Sequence, residues 1–119
     1  MSDNKENLAG ETCIPCSAGA MPMPLADALK LVENLDKGWL VNSLGHLERV
    51  VLLKNFSQSV KLTVKIGEVA DQQGHHPDLK VSYGKLVVEI WTHKIDGLTR
   101  SDFVLAAKID KIIEEKTYA

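Results

Sequence analysis

The stretch Phe56–His93, FSQSVKLTVKIGEVADQQGHHPDLKVSYGKLVVEIWTH, changes its hydrophobic period once, and the change decides the fold. Phe56, Val60, Val64, Gly67 and Ala70 recur at helical spacing, with Ile66 beside them. Lys61, Lys65, Glu68 and Gln72 fall on the opposite face, so the segment predicts an amphipathic helix to about Gln73. Gly74 supplies the stop, because glycine enters the left-handed conformation that ends helices without steric cost. Pro77 prevents resumption and biases His76 towards an extended backbone. LKVSYGKLVVEIWTH then reads as a hairpin turning near Gly84-Lys85. In its return strand Leu86, Val88, Ile90 and Thr92 form the better core face. Val87, Glu89, Trp91 and His93 form the other, an unusual set to leave merely solvated.

Upstream, PLADALKLVENL places Leu25, Leu29, Val32 and Leu35 at helical spacing, with Pro24 suited to a first turn and Gly38 beyond the end. GWLVNS and HLERVVLLK form a hairpin pattern meeting at Leu44-Gly45. In the second strand Leu47, Val51 and Leu53 share a face that Arg49 interrupts. His46, Glu48, Val50, Leu52 and Lys54 share the other, so the inward face stays open. Downstream, Thr99-Arg-Ser-Asp102 has the form of a capping box with aspartate in place of glutamate. Phe103, Ala106, Ala107, Ile109, Ile112 and Ile113 then predict a helix to about Lys116. The order α-β-β-α-β-β-α predicts an α+β fold, a four-stranded antiparallel sheet with three helices on one face. Residues 24–119 form the one domain; residues 1–23, polar, small or proline-rich, read as a flexible tail containing a Cys-x-x-Cys.

The chain has 119 residues, 45% hydrophobic and 25% charged, enough for one modest core. Net charge is −2 with mixed signs and no basic stripe, which argues against nucleic acid as a partner. No apolar run approaches the roughly 20 residues of a membrane helix. The start, MSDNKEN, is polar and acidic rather than a secretory leader, and two cysteines make no disulfide framework, so a cytoplasmic protein is expected.

Three of the four histidines, His75, His76 and His93, lie within the decisive stretch. A histidine pair after a helix is ordinarily a polar loop feature or cap. His93 changes that balance, because its strand returns from the same loop region. Imidazole, with a pKa near ~6.5, can donate or accept a proton at neutral pH. Zinc needs three or four ligands aimed at one point, and adjacent residues of an extended backbone point apart, so no metal is expected. Cys13-Ile-Pro-Cys16 lacks the strand before and helix after it that a redox-active pair uses. It fits a disulfide, a shared metal or idle thiols. Asp102 is at once a helix-start residue and a candidate orienter of an imidazole. Asp71 stands one turn before His75, and Trp91 offers a ring on which a flat ligand can stack.

Asp71-x3-His75-His76-Pro77, then Tyr83, His93 and Asp102, resembles the signature of the pterin-4a-carbinolamine dehydratase family. EVADQQGHHPDL and GKLVVEIWTHKIDGLTRSDFVLAAKID are similar to its bacterial members, across roughly residues 24–115. The chain departs from many members after His-His-Pro, where it reads Asp78-Leu79-Lys80-Val81. The resemblance implies the α-β-β-α-β-β-α fold, and a homodimer or homotetramer whose sheet extends across a subunit boundary. It implies dehydration of a 4a-hydroxytetrahydropterin to a quinonoid dihydropterin, with the pterin as substrate and no other cofactor. The cellular setting would be tetrahydrobiopterin recycling beside an aromatic amino acid hydroxylase. His75 and His93 become the acid–base candidates and His76 a pterin-positioning residue with a catalytic share. Asp102 would hold His93 or raise its pKa, Pro77 would fix the loop, and Trp91 is our candidate pocket wall. The rival reading is a non-enzymatic coactivator or assembly protein that uses Ala106, Ile109, Ile112 and Ile113 as a binding face.

Overall fold

A computed structural model describes residues 7–15 and 20–119. Helices α1 (Leu25–Leu31), α2 (Phe56–Gln73) and α3 (Arg100–Glu115) accompany strands β1 (Trp39–Val41), β2 (Leu47–Leu52), β3 (Asp78–Ser82) and β4 (Lys85–Ile90). The strands form one antiparallel sheet in the order β1-β2-β4-β3, so β1 and β3 are its edges. This is the α+β architecture expected.

Register fixes which side chains meet the helices. Leu47 pairs with Ile90, Arg49 with Val88 and Val51 with Leu86, which puts these residues on one face. Leu86, Val88 and Ile90 are fully buried, as their alternation predicts. The open question of β2 closes in favour of the face carrying Arg49. Its guanidinium forms an ion pair with Asp110 of α3, and Asp110 also accepts from Trp39 Nε1 at 2.7 Å and the Asp36 N–H at 2.9 Å. A charge buried without such partners would cost several kcal/mol, roughly 3–5 by the loss seen when one partner is removed.

Both leading helices carry more apolar surface than they bury. In α1 it is Ala28 and Leu31 that are buried, while Leu25 and Leu29 face out. In α2 the buried stripe is Ser59, Leu62, Ile66 and Ala70, and Phe56, Val60 and Val64 are exposed. Small Ser59 and Ala70 let the helix approach closely, and the Ser59 hydroxyl bonds back to the Asn55 carbonyl. Helix α3 behaves oppositely. Ala106 and Ile109 are fully buried, and Ile112 and Ile113 pack against the same core. The face that sequence suggests for a partner is therefore occupied by the chain's own interior.

The core also begins earlier than Pro24. Leu8 and Cys13 are buried in it. Residues 7–15 are docked on the body: the Ile14 N–H donates to Ser101 Oγ at 2.8 Å, Lys108 Nζ donates to the Ala9 carbonyl, and Arg100 pairs with Glu11. Over these described residues the expected flexible tail is a packed segment. Cys16 lies outside the described residues, so the fate of the Cys-x-x-Cys pair does too.

Candidate active site

The site is built where α2 stops. Gly74 takes φ 64° and ψ 26°. Its N–H bonds the Asp71 carbonyl at 3.3 Å and the His75 N–H bonds the Ala70 carbonyl at 3.2 Å. These paired bonds close the last turn and set the direction in which His75 leaves. At the start of α3 the capping box forms: the Thr99 N–H donates to Asp102 Oδ2 at 2.8 Å and the Thr99 side chain caps the Asp102 backbone. That cap holds a fully buried carboxylate at the mouth of the histidine loop.

Asp102 Oδ1 lies 2.5 Å from His75 Nε2, and Oδ2 accepts from Thr92 Oγ1 at 2.8 Å. Asp102 thus holds His75, not His93 as the motif order suggests. A carboxylate accepts, so the His75 Nε2–H donates to it and leaves Nδ1 with no hydrogen-bond partner among the described residues. His76 turns the other way, 58% exposed, with Nε2 3.1 Å from Asp71 Oδ1. Asp71 therefore serves His76 rather than His75. Pro77, half-buried, follows and leads into β3. His93 opens a short 3-10 turn, His93–Ile95, instead of ending a strand; the strand proper stops at Ile90. Its ring lies against Trp91, centroids 4.3 Å apart and planes at 47°.

His75, His76, Trp91, Thr92, His93 and Lys94 share one cavity of about 290 Å³, with Gly74 and Pro15 completing its wall. The three expected imidazoles are thereby brought together. A larger cavity of about 790 Å³ lies between residues 32–37 and α3, around Asp110. It contains no histidine, and Asp110 is already engaged by Arg49, Trp39 and Asp36, so the smaller cavity is the candidate site. His75 and His76 bond different carboxylates and diverge, and among the described residues no group of three or more His, Cys, Asp or Glu converges as metal ligands would. Burial pushes the Cys13 thiol up, away from the reactive thiolate.

Sequence reading passed over four participants: Thr92, Lys94, Pro15 and His46. Thr92 shows as a core-face residue only, though its hydroxyl ties Asp102 to Thr99 Oγ1 at 3.0 Å. His46 is buried, with Nδ1 2.7 Å from Glu89 Oε2 and Nε2 3.1 Å from Asp96 Oδ1. Its one sequence signal is a shared outer face with Glu89, which lies on β4, the strand paired with β2.

Burial opposes protonation of His46, but the hydrogen bonds and charges of Glu89 and Asp96 outweigh it and hold His46 above the ordinary histidine value. The His46 hydrogen bond, against a smaller effect of burial, holds Glu89 below the ordinary glutamate value. The histidine contribution to stability is complete below the unfolded value near ~6.5 and is lost as pH rises through the folded one. The glutamate contribution is present above its unfolded value near ~4.3 and is lost as pH falls through its folded one. The Tm advantage of wild type over His46→Asn is therefore greatest between about pH 5 and 6 and shrinks on either side. Thermal melts of both proteins at several pH values check this.

The fold and site define an α+β protein with a histidine cluster where one helix ends and another begins. The family model for pterin 4 alpha carbinolamine dehydratase matches residues 22–112, and the chain belongs to that family of hydro-lyases. A Rickettsia bellii protein named for the same dehydratase is 48% identical over 104 residues, 87% of this chain and 92% of that one. An Alkaliphilus metalliredigens protein of the same name is 46% identical over 105 residues, 88% and 95% of the two chains. A solved transcriptional coactivator/pterin dehydratase from Brucella melitensis superposes with a TM-score of 0.71 at 25% identity, covering 77% of this chain and 98% of that one. No helix among the described residues is long and apolar enough to cross a membrane.

Proposed function

We propose that this chain dehydrates 4a-hydroxytetrahydropterin to quinonoid dihydropterin by histidine acid–base catalysis, as a cytoplasmic enzyme of tetrahydrobiopterin recycling. The observation that carries the reading is the single cavity shared by His75, His76 and His93, with Asp102 fixing the His75 ring. Its volume, about 290 Å³, is near the lower end for small-ligand sites and suits a compact bicyclic ring.

The reaction breaks the C4a–O bond and the N5–H bond and forms the C4a=N5 double bond. One proton must reach the departing hydroxyl, which leaves as water, and one must leave N5. His75 suits the base, because its Nε2–H is committed to Asp102 and its Nδ1 lone pair is open. His93, exposed on its turn, suits the acid. A turnover is complete when His75 gives the N5 proton up to solvent and His93 takes one from it. His76 positions the pterin from the opposite side, steadied by Asp71. Trp91 forms a wall of the cavity, with the His46 ring stacked on it and the His93 ring lying against it. No cofactor is required beyond the pterin substrate.

A homodimer or homotetramer belongs to the same proposal, supported by the unpaired edge of β3 and the exposed Phe56, Val60 and Val64 on α2. The coactivator reading has two observations in its favour, the same exposed α2 stripe and the coactivator part of the name borne by the Brucella melitensis neighbour. The assay is the decay of enzymatically generated 4a-hydroxytetrahydropterin followed by ultraviolet absorbance. Acceleration by wild type is the expected result. Its absence in well-folded protein would leave a binding module, and a bound partner would be the next thing to seek.

A further inference from the structure

We propose that His46 is a positioning residue for His93: bridging Glu89 and Asp96 and stacked on Trp91, it fixes the wall and the turn that present His93 to the cavity. The proposal rests on the dehydratase reading for its kinetic part alone.

Three observations carry it. The first is that His46 follows a surface turn, where a polar ring is normally wet, yet it is only 5% exposed. Both ring nitrogens are engaged by carboxylates, at 2.7 and 3.1 Å. Carboxylates accept and a neutral imidazole has one N–H, so filling both contacts takes the imidazolium. The second is that the ring lies flat on Trp91, centroids 4.0 Å apart and planes within 3°. A cation over an indole face is attracted by the ring quadrupole, which holds the indole in one plane. The third is placement. Glu89 and Trp91 precede His93 and Asp96 follows it, so the three anchors bracket the histidine on both sides. Asp96 sits in the left-handed region at φ 47°, and the Thr92–Gly97 bridge closes the turn beneath it.

The charged groups around His46 come from three elements. Glu89 comes from β4, Asp96 from the turn, and Glu48 from β2, linked through Asn42 Nδ2 at 3.0 Å from Glu48 Oε1. Asn42 also donates to Glu89 Oε2 at 3.1 Å, which keeps that carboxylate aimed at His46. When His46 loses a proton one contact must go. Asp96, the more exposed carboxylate, is the one released, and the turn bearing His93 loosens. Deprotonation of His46 therefore reaches the reaction through His93, although His46 itself does not line the cavity.

The test pairs kinetics with proton and nitrogen NMR of the histidine rings. His46→Asn removes the charge and the stack. His46→Phe keeps a stacked ring and removes both carboxylate contacts, and it serves if the first variant fails to fold. A displacement of the reacting group by a fraction of an ångström to one ångström costs on the order of ten- to a hundredfold. We expect kcat to fall about tenfold with KM changed less than about twofold, and the alkaline limb of the kcat–pH profile to move. The His93 ring resonances shift while those of His76, held by Asp71 on the far side, stay in place. An unchanged kcat overturns the proposal. So does a kcat loss with His76 and His93 perturbed alike, which would mark a general structural role. If wild type shows no dehydratase activity, the proposed function fails by itself, and the selective His93 shift still decides whether His46 positions that ring.

Discussion

His75→Ala and His93→Ala each lower the rate of 4a-hydroxytetrahydropterin dehydration by ~10²–10⁴-fold, and the double variant returns it to the uncatalysed decay. The two losses have different structural costs. His93 is exposed on its 3-10 turn, so its removal leaves the core untouched and Tm nearly unchanged. His75 is half-buried and donates to a fully buried carboxylate. Removing it leaves Asp102 Oδ1 without that donor, at a cost of about 1–3 kcal/mol. Oligomer size by light scattering should survive in both variants, since neither ring lies on the exposed α2 stripe or the β3 edge. His76→Ala, which removes a solvent-exposed ring, should act more on KM than on kcat. Full activity in the double variant would move the proton transfers away from this cavity.

Asp102→Asn separates two roles that one carboxylate performs. The amide is nearly isosteric, but one of its two positions now donates. If the amide nitrogen faces His75, Nε2 must become the acceptor, and the proton moves to Nδ1, where it fills the lone pair that the reaction uses. If it faces the Thr99 N–H, donor meets donor and the cap of α3 is lost, at about 1 kcal/mol. The first orientation costs activity, ~10²-fold or more; the second leaves the His75 tautomer intact and costs stability, about 1 kcal/mol. Thr99→Ala is the control. It loses the cap side chain, about 1 kcal/mol, without changing the His75 tautomer, so its kcat should stay within about threefold of wild type. An Asp102→Asn protein that melts early but turns over at the wild-type rate would reduce Asp102 to a helix cap.

The sequence by itself determined the local elements. The switch from a 3.6-residue to a 2-residue period gave the helix and hairpin, Gly74 ended α2, and Thr99 with Asp102 capped α3. The alternation of Leu86, Val88 and Ile90 announced the core face of β4. Each of these depends on residues a few positions apart, where spacing and geometry are one thing. The three histidines were legible as a set for a related reason: the stop at Gly74 and the returning strand leave little freedom in where His93 arrives.

Tertiary structure decided the partners. Arg49 turns inward because Asp110, 61 residues later, meets it there. Asp102 chooses His75 over His93 because the start of α3 packs against the end of α2. Helices α1 and α2 have apolar faces too broad to bury whole, and only packing selects Ala28 and Leu31, or Leu62 and Ile66, from each. His46 showed no more than an outer face shared with Glu89, since Glu89 and Asp96 lie 43 and 50 residues away. Periodicity records how a residue stands relative to its neighbours on one element. It does not record which remote element arrives opposite, and it is that arrival which turns a polar residue into a buried, engaged one.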